Sequence, residues 1–143
     1  MEIIDLGCTR EVLVFDNIVI KKCLIDYKEE NRKEYDNFVR YMDEDLKIVN
    51  NIISFKDDLI IAERCLTLEE YFETNNINEP SLYFINMDNL FINLYPELGR
   101  KLLYKEKRDY IIQNTELSTE EMTIPDNWGI TKEGELVLID YSR

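Results

Sequence analysis

Two pairs of apolar, β-branched-rich runs, each pair joined by a short polar connection, constrain this chain more than any other feature. Val12, Val14, Ile18 and Ile20 flank Asp16-Asn17, while Ile52 to Phe55 and Leu59 to Ala62 flank Lys56-Asp57-Asp58. Apolar residues at every second position give a pleated strand one face for a core and one for solvent, and a short polar connection turns the chain back antiparallel. Strands are therefore expected at about Glu11 to Phe15, Ile18 to Cys23, Ile52 to Phe55 and Leu59 to Ala62, the last running into Glu63 and Arg64. Between the hairpins, from about Glu29 to Asp43, the residues Tyr35, Phe38, Val39 and Met42 recur at i, i+3, i+4 and i+7 with charges between them. That spacing is one face of an amphipathic helix.

Beyond residue 65 the pattern turns helical. Thr67-Leu68-Glu69-Glu70 has the spacing of a capping box and predicts a short helix through about Thr74. Asn75, Asn76, Asn78, Glu79 and Pro80 predict a loop, and Leu82, Ile85, Leu90, Phe91 and Leu94 a second helical stripe that Pro96 and Gly99 end. A third helix is expected from about Arg100 to Gln113, with Arg100, Lys101, Lys105, Lys107 and Arg108 on a solvated face. A last hairpin is built on Gly134, and Trp128 between turn residues is expected to anchor the core with its N–H on a carbonyl. The class is α+β: an antiparallel N-terminal sheet with one packed helix, then a small, mostly helical part and a C-terminal β-hairpin. Residues 1–143 are expected to form one domain, with a sheet-plus-helix lobe over 1–65 and a helical lobe with the terminal hairpin over 66–143.

Composition narrows the function. At 143 residues and 45% hydrophobic content the chain can close one core. Its net charge of −13 argues against direct nucleic-acid binding, which needs Lys and Arg against phosphate, and favours a protein partner with a basic surface. Asp43-Glu44-Asp45, Asp57-Asp58 and Glu120-Glu121 are the candidate acidic contact surface. Histidine is absent, which removes the commonest general base and the imidazole ligand of most zinc sites. Cys8, Cys23 and Cys65 have no paired spacing and suit a reducing compartment. No apolar run reaches bilayer length and the N-terminus lacks a signal-peptide layout, so no membrane role and a cytoplasmic location are expected.

Four residues, in chain order, have the chemistry of a phosphate-handling site. A strand lysine neutralises phosphate, a helix carboxylate orients the lysine, and an amide with a strand-end carboxylate can hold a divalent metal. Lys21 is the lysine, with Lys22 on the opposite strand face; Glu34 is the carboxylate, with Glu30 one turn earlier as its rival; Asn127 and Asp140 are the amide and acid. Each also has a plain reading: Lys21 as an exposed strand residue, Glu34 as a solvated helix residue, Asn127 as an Asx-turn former and Asp140 as a polar strand end.

The run Ile18-Val19-Ile20-Lys21, the helix with Asn31-Arg32-Lys33-Glu34, the strand Leu59-Ile60-Ile61-Ala62-Glu63-Arg64, and Asn127-Trp128-Gly129-Ile130 with Leu138-Ile139-Asp140 resemble the protein-kinase-like fold, in its order, over residues 11 to 142. The resemblance is greatest to the compact, divergent kinase-like proteins of phages and bacteria. It implies that Lys21 and Glu34 are the nucleotide-binding pair, that Glu63 and Arg64 form the hinge, and that Asn127 and Asp140 are the metal-binding pair. The departures imply that these sites are vestigial. Only Gly7 stands where the family has a glycine-rich phosphate loop, and Met122 stands where it has a catalytic aspartate, with Glu120 and Glu121 beside it. Three residues follow Asp140, too few for a substrate platform. The expected function is a non-catalytic, pseudokinase-type binding module acting on a protein partner as inhibitor or regulator, in a bacterial host cytosol if phage-encoded. No cofactor is expected, or Mg-ATP if the site is retained. Two alternatives stand beside it: an acidic nucleic-acid mimic of the phage anti-defence type, and a residual Mg-ATP-dependent phosphotransferase using Glu120 or Glu121.

Overall fold

The computed structural model describes residues 2–6 as backbone, and residues 9–77, 82 and 85–142 with their side chains. Five antiparallel strands form the first sheet in the order β1-β2-β3-β5-β4: β1 Glu2–Leu6, β2 Arg10–Val14, β3 Ile18–Cys23, β4 Ile52–Lys56 and β5 Leu59–Glu63. The two hairpins and the class follow the alternation in the sequence. Asp16-Asn17 turns β2 into β3, with Phe15 N–H donating to Ile18 O at 2.9 Å. Asp57 and Asp58 turn β4 into β5 with φ of 53° and 63°. Both lie in the left-handed region of a primed two-residue turn, which Asp tolerates and which matches the twist of the strands. β1 is an addition to the expected strands; it pairs with β2 across an irregularity between Ile3 and Asp5.

Helix α1, Glu29–Tyr41, crosses from β3 to β4 and packs on the sheet through β3, β4 and β5. That crossover lets β5 pair with β3, so that Lys21 lies opposite Ile60 and Val19 opposite Ala62. After β5 comes a two-residue strand, β6 Leu66–Thr67, and then α2 Leu68–Thr74. The capping box forms at its start: Glu70 N–H donates to Thr67 Oγ1 at 3.1 Å and Thr67 N–H to Glu70 Oε1 at 3.0 Å.

The expected second helical stripe is altered. Residues Asn89–Leu94 wind as a π-helix, with Tyr95 N–H reaching Leu90 O at 2.9 Å. Leu90 and Phe91 are buried, but the wider turn carries Leu94 off that face, and it is 52% exposed. The stripe ends at Leu94, just before Pro96, but Pro96 and Gly99 themselves belong to a further helix, α3, Pro96–Lys101. Proline suits a first turn because its missing N–H would have no helical partner there. Gly99 permits close approach: a Cβ at this position would lie 2.1 Å from Phe91 O. Leu103, at φ 57°, separates α3 from α4 Tyr104–Asn114, so the expected helix from Arg100 to Gln113 is two helices. α5 Thr119–Met122 leads through a 3₁₀ turn to β7 Trp128–Ile130 and β8 Leu136–Leu138, which with β6 make a three-stranded sheet in the order β6-β7-β8. Gly134 sits at φ 84° in the expected last hairpin.

The buried apolar side chains form one cluster that runs from Ile52, Ile60 and Ala62 of the first sheet to Phe72, Phe91, Tyr104 and Trp128. Trp128 is fully buried and its indole N–H donates to Met122 O at 2.7 Å, as expected for an anchor. Among the described residues no helix is long and apolar enough to cross a membrane. Gly7, Cys8, Asn78, Glu79 and Pro80 lie outside the described residues.

Candidate functional site

A cleft of about 570 Å³ opens between the first sheet and the second half of the chain. Val12, Val14 and Val19 supply apolar wall from β2 and β3, Glu63, Arg64 and Cys65 line it at the exit of β5, and Glu121, Asn127 and Asp140 line it from the far side. The volume lies within the range of small-ligand sites.

Strand alternation places Lys21 on the inner face with Val19, and Lys22 on the outer face, exposed. The Lys21 ammonium donates to Glu34 Oε2 at 2.7 Å and to Ile139 O at 2.5 Å. Glu34 is completely buried. It also accepts from Arg10 Nη2 at 3.1 Å and from the backbone N–H of Tyr141 at 3.1 Å. Burial alone would raise its pKa, but Lys21 and Arg10, through charge and hydrogen bonds, hold it down to about 2. The rival Glu30 takes another part, accepting from Ser142 Oγ at 2.6 Å.

Arg10, which no motif in the sequence singles out, is the hub of this site. Its Nη1 donates to Asn31 Oδ1 at 3.2 Å and its Nη2 to Asp140 Oδ1 at 2.8 Å, besides the bond to Glu34. It is 5% exposed. Burial works against its charge, but Glu34 and Asp140 more than offset that, so its pKa stands above the ordinary arginine value. Asn31 has no exposed surface and completes the inner layer by donating to Lys21 O at 2.8 Å and Asp58 O at 2.6 Å. Two signals pointed to this pair: Arg10 shares the inward face of β2 with Val12 and Val14, and Asn31 lies one turn before Glu34 on α1.

Residues 139–142 are thereby strapped to the first half. Ile139 O accepts from Lys21, Asp140 from Arg10, and Tyr141 O from Asn37 Nδ2 at 2.6 Å, while the Tyr141 hydroxyl donates to Asn50 O at 2.7 Å. Lys21, Glu34 and Asp140 thus meet in one network. Asn127 joins it through its backbone, whose carbonyl accepts from Ile139 N–H at 2.8 Å, while its side-chain amide turns to Glu121, donating to Glu121 O at 2.9 Å and Oε2 at 3.0 Å.

The groups present do not fit a divalent metal between Asn127 and Asp140. Asp140 Oδ1 is engaged by a guanidinium, and Glu121 Oε2 holds the Asn127 amide. Among the described residues no group of three or more Cys, Asp or Glu side chains is arranged to hold a metal ion. Met122 is 3% exposed within the apolar core.

The acidic candidates fall in separate places. Asp57 and Asp58 are exposed at the end of α1 near Asn31. Asp43 and Asp45 are exposed just past its other end, about 20 Å away by helix length. Glu44 between them is half-buried beside Tyr110, whose hydroxyl its carboxylate pushes up to about 12. Glu120 is exposed, whereas Glu121 is half-buried in the cleft wall. The expected solvated basic face also needs correction. Lys107 is 3% exposed and donates to Leu136 O at 2.5 Å, because α4 lies against β8 and the long side chain can pass its head to a strand carbonyl. Burial brings its pKa down to about 8, against the pull of Glu135. Arg108 pairs with Asp88 at 3.2 Å and Asp109 at 2.9 Å.

No protein-family model matches the chain, and no curated protein matches it.

Proposed function

We propose that this chain is a protein-kinase-like binding module of the pseudokinase type, which transfers no phosphate and acts in the cytosol by engaging a protein partner as an inhibitor or regulator. The observation that carries the reading is the division of labour around the cleft. A strand lysine and a helix glutamate pair at its back, as the resemblance implies, but the groups that would do chemistry are committed elsewhere. Met122 is buried among apolar side chains, where a carboxylate would lose its hydration without a partner. Of the two candidates to replace it, Glu121 is spent on Asn127, and Glu120 is exposed and does not line the cleft. A proton acceptor must reach the hydroxyl that attacks, and neither side chain is placed to do so.

Phosphate transfer from Mg-ATP to the protein itself and to a generic acceptor tests the reading. The wild type should transfer no more than the Lys21→Ala variant, and a Lys21-dependent rate would overturn it. The partner half is tested by affinity capture at rising salt. A polypeptide retained at low salt and released at several hundred millimolar fits a basic partner surface, whereas none retained at any salt removes that half. A nucleic-acid mimic would line up carboxylates at intervals comparable with phosphate spacing. The separation of Asp57-Asp58 from Asp43 and Asp45 by the length of α1 counts against that alternative.

A further inference from the structure

We propose that Arg10 is a resident cation standing in for a divalent metal at Asp140, so that the cleft excludes such a metal and would gain a metal site on losing this one side chain. This rests on the kinase-like reading of Asn127 and Asp140 as a metal-binding pair. Geometry carries it. Arg10 and Lys21 face Glu34 and Asp140 in a single bonded network, which Glu30 joins through Ser142. A divalent ion on Asp140 Oδ1 would stand beside a buried guanidinium already 2.8 Å from that oxygen, and the two cations would repel. Nor can Arg10 readily step aside. It is almost fully buried and bonded to Asn31 and Glu34 as well, so moving it would leave Glu34 short of a donor. Arg10 also holds the strap of residues 139–142 against β2 and α1, the mechanical role a metal plays when it joins two parts of a cleft.

The test is a Mn²⁺ titration followed by the electron paramagnetic resonance of the free ion, on the wild type, Arg10→Gln, Asp140→Asn and the double variant, each checked for fold by circular dichroism. The wild type should bind no more Mn²⁺ than Asp140→Asn. Arg10→Gln should bind at least tenfold more tightly than the wild type, and the double variant should lose that gain. Wild-type binding that Asp140→Asn weakens tenfold, or a folded Arg10→Gln that gains none, would overturn the proposal. Where Arg10→Gln does not fold, the wild type against Asp140→Asn decides alone: equality upholds it and an Asp140-dependent site sinks it. Mn²⁺ binding at Asp140 without phosphate transfer would defeat this inference only, while Lys21-dependent transfer would defeat the non-catalytic reading beneath it.

Discussion

One apolar cluster spans both halves of the molecule, yet the second half and its joint with the first are held by different physics. In the second half, Phe72, Tyr95, Phe91, Tyr104 and Trp128 form a chain of rings with centroids 5.4 to 6.3 Å apart. Where the first half meets the end of the chain, the joint is ionic: Arg10, Lys21, Glu34 and Asp140, with Asn31 between. An aromatic cluster tolerates small shifts, because dispersion and apolar burial are non-directional. A buried ion network does not, because each lost partner leaves a charge without solvent or counter-ion. The comparison teaches where specificity lies. The rings make the second half cohere, and the ions set the position of residues 139–142.

Substitution should separate the two kinds of cohesion. The largest loss is expected for Trp128→Ala, about 5 kcal/mol in urea unfolding, from the cavity and the abandoned Met122 carbonyl. Its dependence on acid should stay that of the wild type. Glu34→Gln should cost about 3–4 kcal/mol, since Arg10 and Lys21 would be buried with half their counter-charge gone. It should also flatten the acid limb. The carboxyl stands at about 2 in the fold against an ordinary 4.5, so its contribution is complete above about 4.5 and is lost as the pH falls towards 2. An acid limb unchanged in Glu34→Gln, or steepened in Trp128→Ala, would break the comparison.

Lys107 sharpens it, as a buried cation in the aromatic half with a carbonyl and no bonded carboxylate. Its pKa is lowered to about 8 from 10.5, so the fold disfavours its charged form. That penalty is complete below about 8 and disappears as the pH rises to 10.5, so stability should climb modestly across this interval. Lys107→Met should abolish the climb while changing stability at pH 7 by about 1 kcal/mol or less, the lost bond to Leu136 O offsetting the relieved charge. The smallest effect is expected at the exposed pair Arg40–Glu116, 3.0 Å apart: Arg40→Ala should leave the urea midpoint close to that of the wild type. A larger shift there would mean that surface charge matters more to this fold than the buried network suggests.

Much of the first half was legible because its signals are local. The hairpins at Asp16-Asn17 and Asp57-Asp58 and the Thr67–Glu70 box each need only neighbours in sequence, and each formed. The span of α1 also formed but its expected stripe did not: Asn31, Glu34 and Tyr41 are its buried residues, while Val39 and Met42 are exposed, because the buried face of the helix carries the ionic network. Lys21 and Glu34 meet at 2.7 Å, whereas Lys22 faces solvent and Glu30 bonds Ser142. The failures came where an element depends on what it packs against. Gly99 reads as a helix end until Phe91 is seen pressed against it, and Lys107 reads as solvated until β8 is laid beneath α4. Two-residue β6 has no periodicity of its own and exists by pairing with β7.

Local pattern was enough for the class of fold, the two hairpins, the first helix and the placing of Lys21 and Lys22 on opposite strand faces, because strand and helix signals are properties of adjacent residues; which lysine points inward was not. Only the tertiary structure decided that Arg10, 130 positions before Asp140 in the chain, would fill its carboxylate, that Asn127 would turn to Glu121, and that the acidic knots would lie apart. The physical reason is that a buried charge takes whichever partner the packed elements bring within hydrogen-bond reach, and spacing along the chain does not encode that distance.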